Sequence, residues 1–391
     1  MNYQGIVISG PKYAGKTSIS NGLILNSSSF TQVKSITTRV ARENDNNDYE
    51  YVSKEDFTNL RLSNSLILEV EYNDEYYGIK KDALPLSLIP IFVVAPESIE
   101  ALEKYFKDTK KKNLLTFFID ADDSDLNLRY KDREGRSSAD IDIETKVLIQ
   151  NDRKLKNKAI FYLKNKVLKD TISLIEMLWM FRESGGILHK DLLKCGIKSD
   201  LFLQNAKPEY TSAAAYDLHL GNEYYYAGEV KHITEKNPFF IIEPYDYAIV
   251  TSREFANLPR NVAARFSLTV GLFTQGIILS NGTQIDPGFR GKLFCLLFNT
   301  SNKPVVLKQG QKYATMEFNK LITHTEAYEG KYQDQNLIIQ YLPSNVMQGA
   351  VSDLKKELDE LKNDTKSLHS YFMGVIALIL ATIPLMLLFR G

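Results

Sequence analysis

Gly10-Pro11-Lys12-Tyr13-Ala14-Gly15-Lys16-Thr17 directly follows the apolar run Gly5-Ile6-Val7-Ile8-Ser9 and opens a stretch of helical composition. Its spacing is G-x4-G-K-[ST], set between a strand and a helix, which is the context that its mechanism needs. Glycines let the main chain curl until successive N–H groups and a helix N-terminus point at phosphate. Lys16 then reaches the outer phosphates and the Thr17 hydroxyl can hold Mg²⁺. Gly10, Ala14, Gly15, Lys16 and Thr17 are therefore the expected residues of a nucleotide site, with Thr17 the metal ligand.

Outward from this loop, residues 3 to 180 alternate short apolar runs (GIVISG, IFVVA, LLTFFID) with polar helical stretches, the rhythm of an α/β sheet wrapped by helices. Ser184-Gly185-Gly186 reads as flexible punctuation closing a first domain over 1–183. From 187 to 345 the chain is rich in Tyr, Phe, Val and Ile, broken at short intervals by Asn, Gly and Pro, which predicts a mostly β domain. Val351, Leu354, Leu358, Leu361, Thr365, Leu368 and Phe372 then keep a three-then-four spacing among Lys, Glu and Asp, a heptad seam over 349–370. An amphipathic helix lying on its own domain would show the same stripe. Tyr371 to Phe389 carries no charged side chain and would run about 28 Å as a helix, near the ~30 Å bilayer core. The sequence thus predicts a single-pass C-terminal membrane anchor, with the folded domains in the cytoplasm.

The chain has 391 residues, too many for one ordinary core, and 48 basic residues balance 48 acidic ones. No overall charge draws it to nucleic acid, so direct nucleic-acid binding is not expected and phosphate must be held locally. Two cysteines, Cys195 and Cys295, are too few for a disulfide framework or a four-cysteine zinc site. The five histidines show no metal-site spacing and are expected at surfaces or turns.

Ser35-Ile36-Thr37-Thr38-Arg39-Val40-Ala41-Arg42, Asp48-Tyr49-Glu50-Tyr51-Val52-Ser53, Ile67-Leu68-Glu69 and Tyr77-Gly78 together resemble the guanylate kinase family across most of the first domain. The resemblance implies a P-loop kinase fold using ATP and Mg²⁺ on a nucleoside monophosphate. It implies that Ser35, Arg39, Arg42, Tyr49 or Tyr51, and Tyr77 hold the monophosphate and that Glu69 reads the base. Arg129 and Arg133, in Leu128–Arg133, would stabilise the phosphoryl group in flight beside Lys16. Two departures weaken transfer more than binding: Ile79 replaces a small hydroxyl residue, and IFVVAPES lacks the usual acidic residues before the middle helix.

Ser212–Gly221, Ala264–Leu268, Gln284–Gly291 and Gln309–Ala314 occur in the order found in dCTP deaminases and the related dUTPases, which the second domain resembles. That resemblance implies a homotrimer with nucleotide sites between subunits, and it places Arg265, Ser267 and Asp286 at the second-domain site, Asp286 as a water-orienting carboxylate. Deamination needs a proton-shuttling group, and the family's glutamate strand reads Lys292–Asn299 here with no carboxylate. Deamination is expected to be lost. Asp286 has a competing role as the turn residue of Asp-Pro-Gly. Two functions compete: a nucleotide-pool sensor acting at a membrane, for which viral distortion of nucleotide pools is one setting, and a bifunctional kinase and dUTPase-like hydrolase.

Overall fold

The structure, a computed structural model, describes residues 3–41, 49–72, 74–134, 140–282, 284–342 and 350–388, with side chains in the last helix at 357–378 and 380. The first domain runs β1 (Tyr3–Ser9), α1 (Lys16–Asn26), β2 (Phe30–Gln32), β3 (Ser35–Thr37), β4 (Tyr49–Tyr51), α2 (Lys54–Leu62), β5 (Leu66–Tyr72) and β6 (Glu75–Lys80). It continues through β7 (Ile89–Val93), α3 (Ile99–Tyr105), β8 (Asn113–Asp120), α4 (Asp123–Glu134), α5 (Ile143–Lys154), β9 (Phe161–Lys164) and α6 (Leu168–Met180). A parallel sheet of order β2-β7-β1-β8-β9 forms its centre. Its strands are nearly continuous apolar runs because helices cover both faces, as in NLLTFFID, where all but the first residue are buried. Side chains set the helix starts: Ser53 Oγ accepts from Asp56 N at 3.0 Å, and Asp142 Oδ1 from Thr145 N at 2.7 Å.

A separate four-stranded sheet, order β4-β3-β6-β5, stands beside this core. Leu68 and Ile79 tie it to Phe92, Ile99 and Leu102 in one buried cluster. The domain is the expected α/β architecture.

The second domain is mostly β, as its composition predicted. It comprises β10 (Gly186–Ile187), α7 (Lys190–Lys198), β11 (Phe202–Gln204), β12 (Ala215–Tyr226), β13 (Glu229–His232), β14 (Phe239–Ile242), β15 (Tyr247–Asn257) and β16 (Val262–Leu268). Then follow α8 (Val270–Phe273), β17 (Ile277–Ser280), β18 (Arg290–Asn299), β19 (Val305–Lys308) and β20 (Lys312–Lys320). The main path is β10-β20-β12-β15-β18-β17, with β11, β13 and β16 joined to it and β14 paired with β19.

The two domains are fused more closely than Ser184-Gly185-Gly186 suggested. Gly186 and Ile187 pair with Lys320 and Asn319. Lys320 Nζ donates to the carbonyls of Phe181, Arg182 and Ser184, capping the end of α6. Burial lowers the Lys320 pKa to about 8. Across the joint, Lys164 N donates to Ser199 O at 2.8 Å, Lys166 pairs with Asp200 at 2.7 Å, and Arg260 N donates to Ile160 O at 3.0 Å. One hydrophobic cluster runs from Ile8 and Trp179 to Leu203 and Phe318. A cavity of about 370 Å³ remains at this joint, lined in part by Glu103, Lys104, Lys107, Arg260, His324 and Glu326.

A single helix, α9 (Ala350–Leu388), covers both the heptad seam and the apolar run. The membrane location expected from that run needs correction: among the described residues no helix is long and apolar enough to cross a membrane.

Candidate functional site

The loop between β1 and α1 takes the shape that its glycines allow. Gly10 and Gly15 have φ of 133° and 91°, and a Cβ on Gly10 would lie 2.0 Å from Ile119 O. Ala14 is fully buried beneath the loop, while Lys16 and Thr17 open α1 and remain partly exposed. Lys16 Nζ donates to the carbonyls of Gly10 and Pro11, each at 2.7 Å. Burial lowers its pKa to about 8; Asp152 opposes that shift, and Arg133 and Lys12 add to it.

Arg129 and Arg133 part company. Arg129 Nη1 donates to Tyr13 O at 3.3 Å and Ala14 O at 3.1 Å, and Nη2 to Asn165 O at 2.6 Å. Its guanidinium thus bonds the main chain of the loop and of Asn165 in this structure. Arg133 is exposed and close enough to act electrostatically on Lys16.

Sequence reasoning missed Asp152 and Asn165. Burial raises the Asp152 pKa to about 6, against the pull of Lys16, so this carboxylate stands beside the loop. Asn165 Nδ2 donates to Ala14 O at 2.9 Å from the end of β9. No spacing rule connects either residue to the loop; only the α5 and β9 packing does. Its neighbour Arg153 grips Asp120 through Nε at 3.0 Å and Nη2 at 3.1 Å, and Tyr162 Oη adds a bond to Asp120 at 3.0 Å. The Thr17 hydroxyl and the Asp152 carboxylate both offer hard oxygen donors, the type that suits Mg²⁺ shared with phosphates.

Register divides the four-stranded sheet into two faces. Val70 opposes Tyr77 and Leu68 opposes Ile79, Thr37 opposes Tyr77, and Ser35 and Thr37 oppose Tyr49 and Tyr51. Directly opposed residues share a face, so Ser35, Thr37, Tyr49, Tyr51, Tyr77, Ile79, Leu68 and Val70 lie together. The rings of Tyr49 and Tyr77 meet edge to face at 6.1 Å, and Arg39 lies 5.4 Å over Tyr49. The expected phosphate-side residues Ser35, Arg39, Tyr49, Tyr51 and Tyr77 are thus brought together; Arg42 lies outside the described residues.

Glu69 is not brought to them. It opposes Gly78 on the other face, whose Cβ position is covered by Phe57 of α2. There Arg61 Nε donates to Glu69 Oε2 at 2.9 Å while the same guanidinium lies 4.8 Å over the Tyr76 ring. A slip of one residue in strand phase moves a side chain across the sheet, which the string ILE at 67–69 does not disclose.

In the second domain Arg265 and Ser267 point outward from β16, opposite Glu317 and Thr315, with Phe266 buried between them. Ala264 and Ile285 exchange both main-chain bonds, which brings Asp286 to the same strand. Asp286 behaves as a turn residue: its Oδ1 accepts from Gln284 Nε2 at 3.0 Å and its carbonyl from Phe289 N at 3.1 Å. Strand β18 holds the buried Lys292, 3.6 Å from Glu223 Oε2. A further buried carboxylate, Glu254, accepts from His219 N and Arg253, and contacts His219 Nδ1 and Tyr216 Oη, at 2.8–3.3 Å. Three of these contacts fall on Oε1 and one on Oε2, so the carboxylate is held by its own neighbours. His219, expected at a surface or turn, is buried against this carboxylate and the Tyr210 ring. Among the described residues no group of three His, Cys, Asp or Glu side chains is arranged to hold a metal.

Comparison with known proteins gives each domain a relation. The guanylate kinase family model matches residues 2–85, and the dCTP deaminase-like model matches residues 187–321. The dCTP deaminase of Pyrococcus horikoshii is 30% identical over 144 residues, 37% of this chain and 91% of that protein. That of Thermococcus gammatolerans is 32% identical over 143 residues, 36% and 90% of the two chains. A dUMP-forming dCTP deaminase of Aquifex aeolicus is 29% identical over 154 residues, 36% and 86%. Among solved structures, guanylate kinase from Anaplasma phagocytophilum gives a TM-score of 0.35 at 18% identity, covering 47% of this chain and 87% of that one. The 2'-deoxycytidine 5'-triphosphate deaminase of Agrobacterium tumefaciens gives 0.31 at 17%, covering 35% and 49%. By way of its second domain, the chain belongs to the dCTP deaminase family.

Proposed function

We propose that the chain is a nucleotide-pool sensor: its first domain binds ATP·Mg²⁺ and a nucleoside monophosphate, and its second binds a pyrimidine nucleotide without deaminating it. The loop Gly10–Thr17 carries the first half, since its two positive-φ glycines hold N–H groups and Lys16 where phosphates would sit. Thr17 and Asp152 would hold Mg²⁺, which when bound would neutralise phosphate charge. Lys16 neutralises the outer phosphates, and Arg133 adds charge from α4. The second half is supported by the absence of carboxylates among the residues of β18.

The sensing role is supported by one segment. Asn165 holds the loop, and its neighbours Lys164 and Lys166 hold Ser199 and Asp200 of the second domain. A homotrimer, the assembly implied by the deaminase resemblance, is supported by outward apolar residues on the second domain: Phe239, Val270, Phe273, Ile278 and Val306. Thr17, Arg133 and Asp152 also leave room for phosphoryl transfer. Incubation with ATP, Mg²⁺ and each monophosphate, with Lys16→Ala as the control, separates these outcomes. Binding without turnover, lost in the control, is expected of a sensor; turnover lost in the control makes the first domain a kinase, and unchanged binding in the control sinks the nucleotide site.

A further inference from the structure

We infer that α9 binds further copies of this chain, the helices lying parallel and in register along a seam of Leu358, Leu361, Thr365, Leu368, Phe372 and Val375. Neither nucleotide site proposed above is needed for this contact. From Glu357 to Leu378 every side chain of α9 is exposed, over a length of about 33 Å. Leu358, Leu361 and Leu368, then Phe372 and Val375, recur at intervals of three and four, with Thr365 the polar member of the series. Such spacing averages about 3.5 residues, and it keeps one seam facing a partner when helices coil about each other.

The flanks of the seam select its occupant. A helix laid on a globular domain has a broad apolar face that takes in one flank, whereas a stripe confined to the seam belongs between coiled helices. Between Glu357 and Ser370 both flanks are polar: Glu357 and Asp364 stand on one side of the seam, Lys362 and His369 on the other. This narrow stripe matches the same stripe on a second copy. Direction follows from the signs. In parallel register the acidic flank of one helix meets the basic flank of the next, Glu357 beside Lys362 of the partner subunit and Asp364 beside His369 of the partner subunit. Antiparallel packing would set acid against acid and Lys362 against a like charge or an imidazole. On its own helix Lys362 lies 3.9 Å from Asp359, an exposed contact too weak to hold it there. Past Ser370 the flanks turn apolar, with Tyr371, Ile376 and Leu378 exposed, and a second copy covers these as well.

Disulfide formation in air between copies of the full chain carrying one added cysteine in α9 tests this. The linked peptide is identified by mass, because Cys195 and Cys295 are also present. Thr365→Cys, in the seam, is expected to link to its counterpart at least about tenfold faster than Asn363→Cys on the outer face, since parallel register brings like seam positions within disulfide reach. A trimer of second domains would raise the local concentration of both positions alike, so the ratio reads the seam alone. Adding Glu357→Lys to the Thr365→Cys chain is expected to slow linking about threefold, and adding Lys362→Glu to that pair to restore it. Every substituted side chain is exposed, so the domains keep their fold. Comparable rates at 363 and 365 overturn the inference, as they would arise if α9 lay on its own domains or on an unrelated partner. A rate unmoved by Glu357→Lys, or not restored by Lys362→Glu, overturns the parallel pairing and the inference with it.

Discussion

Arg129 ties α4 to the phosphate loop. Its three bonds to the carbonyls of Tyr13, Ala14 and Asn165 hold the phosphate loop against β9. Arg129→Met should therefore weaken MgATP binding by about tenfold and lower the thermal midpoint, because buried carbonyls lose charge-assisted donors. A residue acting only in the transition state would lower kcat with affinity and midpoint unchanged, so binding and thermal melts together decide. The loop itself was legible in sequence because its chemistry is local: Gly10, Gly15, Lys16 and Thr17 act through their own backbone. Asp152 was illegible because its importance depends on where α5 packs. Glu69 was misleading for a subtler reason, since β5 and β6 shift register between Leu66 and Leu68, and that irregularity decides which face each side chain takes.

At the scale of elements, β9 is the shared part. Its edge bonds to β8 on one side, and the three residues from Lys164 touch the loop, α7's end and Asp200. Asn257 Nδ2 adds a bond to Asp200 O at 2.6 Å and one to Tyr162 O at 3.3 Å. Nucleotide binding that orders the loop should thus slow hydrogen exchange not only in α1 but also in β11, which lies just past Asp200. Exchange measured by mass spectrometry with and without MgATP checks this; protection confined to residues before 165 would show that the domains do not communicate along this path. The alternation of strands and helices in the first domain and the β character of the second were readable from periodicity. The pairing of β10 with β20 was not, because Gly186 and Ile187 gain their partners only after a whole domain has folded between them.

The whole molecule is governed by the joint between its domains. Burial raises the Glu103 pKa from 4.5 to about 7, with Arg260 and Thr116 opposing the shift and Glu100 and Glu326 adding to it. Across the cavity, burial and Arg260 lower the His324 pKa, Lys107 adding to the shift and Glu326 opposing it. A raised carboxyl pKa contributes stability that is fully present below about 4.5 and is lost as pH rises through about 7. Glu103→Gln should therefore be more stable than the wild type above pH 7, by on the order of 2 kcal/mol, with the gap closing as pH falls towards 4.5. Urea titrations across that range measure it, and a gap independent of pH would place the proton elsewhere. The hydrophobic cluster that joins Ile8 and Trp179 to Leu203 and Phe318 carries one more consequence. A break near Gly185 would strip apolar surface bare on both pieces. Substitutions along β9 and along 199–204 and 257–261 should therefore drift in step across lineages that keep the two halves joined, rather than independently.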